Sequence, residues 1–156
     1  MRFTAVSALL ITVMWCAWLW QPERQVRLHQ QHFFRALEER DWGDIADFLD
    51  GDYADRWGHD KAFLVREGRE IFRQFLWVTA AGEIVRAEVS GDAVRVDARL
   101  RLAGRGSPIG EMVLDRVNAL REPFVFEWRR RSWKPWDWRM TRLDQPELQM
   151  EEVPGF

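Results

Sequence analysis

Cysteine, lysine and tyrosine are almost missing from this chain. A single cysteine, Cys16, leaves no partner for an intrachain disulfide and no thiolate set for a metal cluster. Of 23 basic residues only Lys61 and Lys134 are lysine, and the rest are arginine. That skew reads as a GC-rich coding bias rather than a functional surface. Excess charge of one sign is absent too. The formal net charge is -2 and the pI about 6.0, whereas nucleic-acid binders carry a clear basic excess. No glycine-rich phosphate loop, no nucleophile beside a base and no internal repeat is present. No cofactor and no nucleic-acid partner are expected.

What remains is a globular composition, 47% hydrophobic and 31% charged over 156 residues. That is enough for one domain with a real core and too little for two. The first feature is an address. Between Phe3 and Trp20 the chain runs 18 residues without a charge, about 27 Å as a helix, near the hydrocarbon thickness of a bilayer. Trp15, Trp18 and Trp20 crowd its far end, where indoles favour the headgroup level. Pro22, Glu23 and Arg24 stop it. An uncleaved anchor over residues 1–22 is favoured over a cleaved signal, because "MWCAWLWQ" offers small residues only between tryptophans. Trp15 before Cys16 also argues against lipidation there. Flanking positive charges nearly balance, and the expected orientation exports the C-terminal part, placing it periplasmic or extracellular.

Residues 23–40 lack Gly and Pro and set Val26, Phe33, Ala36 and Leu37 at helical spacing. "DWGDIADFLD" reads as a short second helix started by Asp41 or Asp44, with Ile45, Phe48 and Leu49 inward. Asp60 is the expected N-cap of a third helix over 61–77, with Phe63, Leu64, Ile71, Phe72, Phe75 and Leu76 as core. Strand alternation follows. Val85, Ala87 and Val89 are expected inward, the turn falls at "SGD", and nine residues from Val94 to Leu102 alternate strictly. Helical spacing returns at 108–119. In "FVFEWRRRSWKPWDWRM", Phe124, Phe126 and Trp128 share one strand face, and Trp136, Trp138 and Met140 share another. Arg129 and Arg139 fall on the opposite, wet side beside Glu127 and Asp137. Base-stacking platforms need aromatics and cations exposed on one face, so parity argues for a buried hairpin. Inward parity also leaves Glu83, Glu122, Arg130 and Arg142 at strand ends.

Three helices followed by long antiparallel strands, with the "FFRALEERDWGDIADFL" pair and the closing "WDWRMTRLDQPEL", resemble the NTF2-like superfamily (cystatin-like, SnoaL-like α+β cones). The likeness covers roughly 25–145, within an expected domain of 23–145 that leaves 146–156 as a tail. It implies N-terminal helices packed on a strongly bent antiparallel sheet, an apolar cavity at the open end, and pairing into a homodimer. The inserted helix at 108–119 departs from the simplest pattern and is placed to narrow the mouth. Isomerase-like and cyclase-like members act on small hydrophobic substrates, but many members bind ligands or partners without catalysis. Some inner-membrane scaffold proteins of type IV secretion systems share the plan of one anchor and one such domain, though this chain is shorter.

The isomerase-like members pair an acidic base with a tyrosine in an apolar pocket. Here Tyr53 sits in a loop rather than the first helix, and Asp97, Glu88 and Glu127 point outward, so no catalytic residue is assigned. "DGDYADRWGHD" gathers Asp50, Asp52, Asp55, His59 and Asp60 but lacks Ca²⁺-loop spacing and reads as turns and caps. His29 and His32 have no third ligand and read as a solvated helix face. No metal is expected. The same loop borders the cavity mouth in NTF2-like proteins, which makes Tyr53, Trp57 and His59, with Trp128, Arg130 and Trp138 from the hairpin, the ligand-pocket candidates. The expected activity is non-catalytic binding of a small apolar ligand or a protein partner.

Overall fold

A computed structural model describes residues 14–15 and 20–148. Apart from Met14, Trp15 and Trp20, the expected anchor lies outside the described residues. So does most of the expected tail. Among the described residues no helix is long and apolar enough to cross a membrane. The elements are α1 (Pro22–Glu39), α2 (Trp42–Phe48), α3 (Lys61–Phe72), β1 (Phe75–Ser90), β2 (Ala93–Gly106), α4 (Pro108–Asn118), β3 (Phe124–Arg130) and β4 (Trp138–Asp144). The strands form one antiparallel sheet in the order β1-β2-β3-β4.

Pro22 starts α1, where a missing N–H costs nothing. Asp41 caps α2 by accepting from Gly43 N and Asp44 N, and Asp60 caps α3 by accepting from Phe63 N at 2.8 Å. α1 lies along the inner face of the sheet. Val26, Phe33 and Phe34 meet Val94, Val96, Phe126, Trp128 and Met140 in one core cluster. Arg40 donates to Phe75 O (3.0 Å) and Glu38 accepts from Ala80 N (2.8 Å), fastening the C-terminal end of α1 to the start of β1. α4 sits on β2. Asn118 holds it there by accepting from Leu102 N and donating to Leu102 O, and Leu114 closes a small second core with Phe75 and Val78.

Two strand corrections have one cause. Bulges interrupt the register at Ile84/Arg86 and at Glu127/Trp128, and an extra residue flips the parity of everything beyond it. In β1 the extra residue is Val85, 50% exposed. Before it, Ala80, Gly82 and Ile84 face inward opposite Leu102, Leu100 and Ala98, so Glu83 faces outward against Arg99. In β4 the extra residue is Thr141. Arg142 therefore pairs with Glu127 on the outer face while Leu143 turns inward opposite Phe126. Glu122 is exposed as well.

α3 ends at Phe72 rather than Trp77, because Phe75 already pairs with Gly106 in the sheet. Ile71 and Leu76 are consequently exposed, at 40% and 79%, Leu76 occupying a third irregularity between Phe75 and Trp77. Trp136, expected inward, belongs to the turn before β4 and is 58% exposed. The outer face carries Glu88, Arg95, Glu127 and Arg142 in one row across all four strands. Each such opposite-charge neighbour adds about 0.2–1 kcal/mol.

Candidate functional site

Two concavities stand out among the described residues. The larger, about 390 Å³, is an open surface groove between α1, α2 and the β3–β4 turn, with His29, Asp44, Asp47 and Trp136 in its wall. The smaller, about 160 Å³, is a partly open recess between the three N-terminal helices and the inner sheet face. α1 supplies Phe33 and Leu37, α2 supplies Trp42 and Ile45, and α3 supplies Leu64, Gly68 and Phe72. The sheet closes it with Leu100, Phe124, Phe126 and Leu143. No polar side chain enters this wall. The size is that of cavities that stay dry and accept benzene-sized molecules.

Local packing explains why the space is there. α3 buries none of its side chains fully, so it rests over the helix–sheet gap without filling it. The Trp42 ring meets Phe72 edge-on at 5.5 Å. A Cβ on Gly68 would lie 2.8 Å from Trp42 Cζ3, so glycine at that position lets the helix approach the indole. α3 is tied at its start, where Lys61 donates to Leu49 O and the His59 ring stacks on Phe63 at 3.8 Å. α4, expected near the mouth, contributes nothing to the wall and packs on β2 instead.

None of the six residues expected at the pocket lines this cavity. Trp128 and Trp138 are fully buried core, Trp128 Nε1 donating to Gln30 Oε1 and Trp138 Nε1 to Pro135 O, both at 2.8 Å. Trp138 also reaches the wall of the surface groove. Arg130 lies over the Trp138 ring, 5.9 Å from its centroid. Tyr53 is buried, and its hydroxyl meets no hydrogen-bond partner among the described residues. Burial and then the nearby Asp55 charge push its pKa well above the ordinary phenol value, so it stays protonated. Trp57 and His59 sit together in the loop, both arranged by Asp55. Its Oδ1 accepts from Trp57 N and His59 N at 2.9 and 2.8 Å, and its Oδ2 lies 2.8 Å from His59 Nδ1.

The acidic loop is therefore fastening. Asp50 is buried, accepts from Asp52 N and takes both Nε and an Nη of Arg131 from the β3–β4 turn. The Arg131 hydrogen bonds hold its carboxyl below the usual 3.8. Asp50 N, Ala54 N and Arg56 N donate to Met140, Thr141 and Leu143 carbonyls, covering the free edge of β4. No group of three or more metal-ligating side chains occurs among the described residues. His29 is not solvated as expected: it is half-buried, edge-on to Phe48 and Trp128, with Nδ1 donating to Gln25 O.

Sequence reasoning missed Gln30 and the cavity wall. Gln30 stands four residues after Val26, inside the apolar stripe, and that placement was its signal. The wall gave none, since Leu37, Leu64 and Leu143 look like any other core residues.

No protein-family profile and no curated protein matches the chain. Solved structures do match its fold. A conserved protein from Planctomyces limnophilus superposes with a TM-score of 0.62 at 13% identity, over 79% of this chain and 93% of that one. A proposed dehydratase from the NTF2-like family of Streptomyces avermitilis gives 0.58 at 15%, over 78% and 93%. A protein of unknown function with a cystatin-like fold from Nostoc punctiforme gives 0.54 at 12%, over 80% and 91%. The described fold is thus α+β, a four-stranded antiparallel sheet with helices, of the cystatin-like, NTF2-like kind.

Proposed function

We propose that this domain binds one small apolar molecule of single-ring size in the smaller cavity, without chemistry, while residues 3–20 anchor it to a membrane with the domain on the non-cytoplasmic side. The cavity wall is the observation that carries the binding reading. Acid–base work on a bound substrate needs a titratable group within hydrogen-bond reach of it, and the side chains of this wall, Trp42 included, are not titratable. Tyr53, the single tyrosine of the chain, is not in the wall and stays protonated. Entry is through α3, none of whose side chains is fully buried. Elements held by so little burial are the ones that open locally.

The test is calorimetric titration of benzene and indole, with Leu64→Phe as the comparison. The native chain is expected to bind the single ring, and a saturating ligand at a hundred times Kd adds about 2.7 kcal/mol of stability. Leu64→Phe fills the space. It should abolish binding while stabilising the free protein by about 0.5–2 kcal/mol. Equal binding by both proteins places the ligand elsewhere and defeats the reading.

A further inference from the structure

We propose that the β3–β4 turn is a second membrane contact, its Trp133 and Trp136 resting in the phospholipid headgroup layer beside the point where residues 3–20 join α1. This rests on the anchor reading above and extends it from the first twenty residues to the folded domain.

Five tryptophans among the described residues are more than half exposed: Trp15, Trp20, Trp77, Trp133 and Trp136. Trp133 reaches 83%. An exposed indole is an unusual use of a large apolar side chain, and three of these five converge on one end of the molecule. The packing of α1 along the sheet fixes that. Its C-terminal end meets Phe75 and Ala80, Phe34 meets Phe126, and Gln30 meets Trp128. His29 shares the surface groove with Lys134 and Trp136. From Gln30, α1 continues about 12 Å to Pro22. From Trp128, β3 and its turn extend up to about 16 Å to Trp133. The N-terminal end of α1 and the β3–β4 turn thus lie toward the same end of the domain. The β1–β2 turn lies there too, Asp92 O accepting from Arg130 N at 2.8 Å.

The chain outside the described fold points to the occupant. Eighteen uncharged residues end at Trp20, so a bilayer holding them has its surface at this level. Indoles belong at that surface, where the ring is half in hydrocarbon and the N–H stays wet. Lys134 in the turn and Arg129 in the strand before it are cations that anionic headgroups attract, set against Asp137 of the turn and Asp44 and Asp47 in the adjoining groove wall, so the indoles carry the contact. The turn is also rigid in the right shape. Arg131 is pinned to Asp50, Arg131 N donates to Asp137 O, Asp137 N to Lys134 O, and Trp138 Nε1 to Pro135 O. It presents the two indoles outward without needing to reorganise.

The experiment uses the full chain, labelled with 5-fluorotryptophan, in nanodiscs of phosphatidylcholine and phosphatidylglycerol, with and without a headgroup nitroxide lipid. Trp20→Phe, Trp77→Phe, Trp133→Phe and Trp136→Phe each remove and so assign one fluorine signal, all four positions being more than half exposed. Trp20 reports the anchor. Trp77 reports the far end, since β1 runs about 40 Å from there to Ser90. The nitroxide is expected to erase the Trp20, Trp133 and Trp136 signals and to spare Trp77. Loss of Trp20 alone overturns the turn contact and leaves the anchor standing. Loss of Trp133 and Trp136 with Trp20 intact supports the contact and removes the anchor. No loss at any of the three overturns both.

Discussion

Trp128→Ala should cost about 3–5 kcal/mol, the largest loss expected from any single truncation here. The indole is fully buried on the inner face of β3, edge-on to His29 and Phe48. Its Nε1 is the hydrogen-bond donor to Gln30 Oε1, and Gln30 is itself fully buried, with Nε2 meeting no partner among the described residues. Part of the cost is a cavity, and part is an amide left without its donor. A double-mutant cycle separates the two. Trp128→Phe alone strands the Gln30 oxygen, and Gln30→Leu alone strands the indole N–H, each for about 1–3 kcal/mol beyond any packing change. Making both together replaces a polar pair by apolar groups, so the combined loss should fall short of the sum by about 0.5–3 kcal/mol. Urea unfolding of the four proteins checks this. Strict additivity means the bond contributes nothing.

The second large effect comes from Gly82, on the inner face of β1. A Cβ there would lie 2.0 Å from Phe34 Cε2 and 2.2 Å from Cδ2. The ring cannot yield, since Phe34 is buried against Phe33 and Phe126 at centroid distances of 6.2 and 5.9 Å. Any side chain at 82 must push α1 off the sheet. Gly82→Val is expected to lose about 1–3 kcal/mol or more, roughly 10 °C in Tm at the upper end for a domain of this size. Ala81→Val, next door on the exposed outer side, is the control and should stay within about 0.5 kcal/mol. Thermal unfolding distinguishes them. Equal Tm values for the two variants would mean that the α1–β1 contact is not this tight.

Much of the fold is legible in the residues. Capping chemistry marks Asp60 and narrows the start of α2 to Asp41 or Asp44, helical spacing marks α4, and strict alternation marks β2 and the inner side of β3. What escapes is whatever depends on pairing between distant segments. Val85 and Thr141 look like ordinary strand residues, and only the partner strand makes them bulges. Hence Glu83 and Arg142 were expected inward and lie outward. α3 is cut short at Phe72 because Phe75 finds Gly106, a contact 31 positions away that helical spacing cannot register.

The candidate site divides the same way. Polar-tipped residues such as His59 and Tyr53 draw notice in a sequence, yet the structure uses them for fastening and core. The cavity is made of residues with nothing to distinguish them, and exists because α3 rests over the helix–sheet gap without filling it. Gln30 is the exception that was readable: an amide four residues after Val26 on an apolar stripe must find a buried partner.

The claim that the inner cavity is a dry, accessible site for a small apolar molecule is tested most directly by a crystal of the protein held under xenon pressure. A xenon atom bounded by Phe33, Trp42, Leu64 and Phe126 is expected. A collapsed space with the Trp42 ring in it, or ordered water in its place, would rule out such a site.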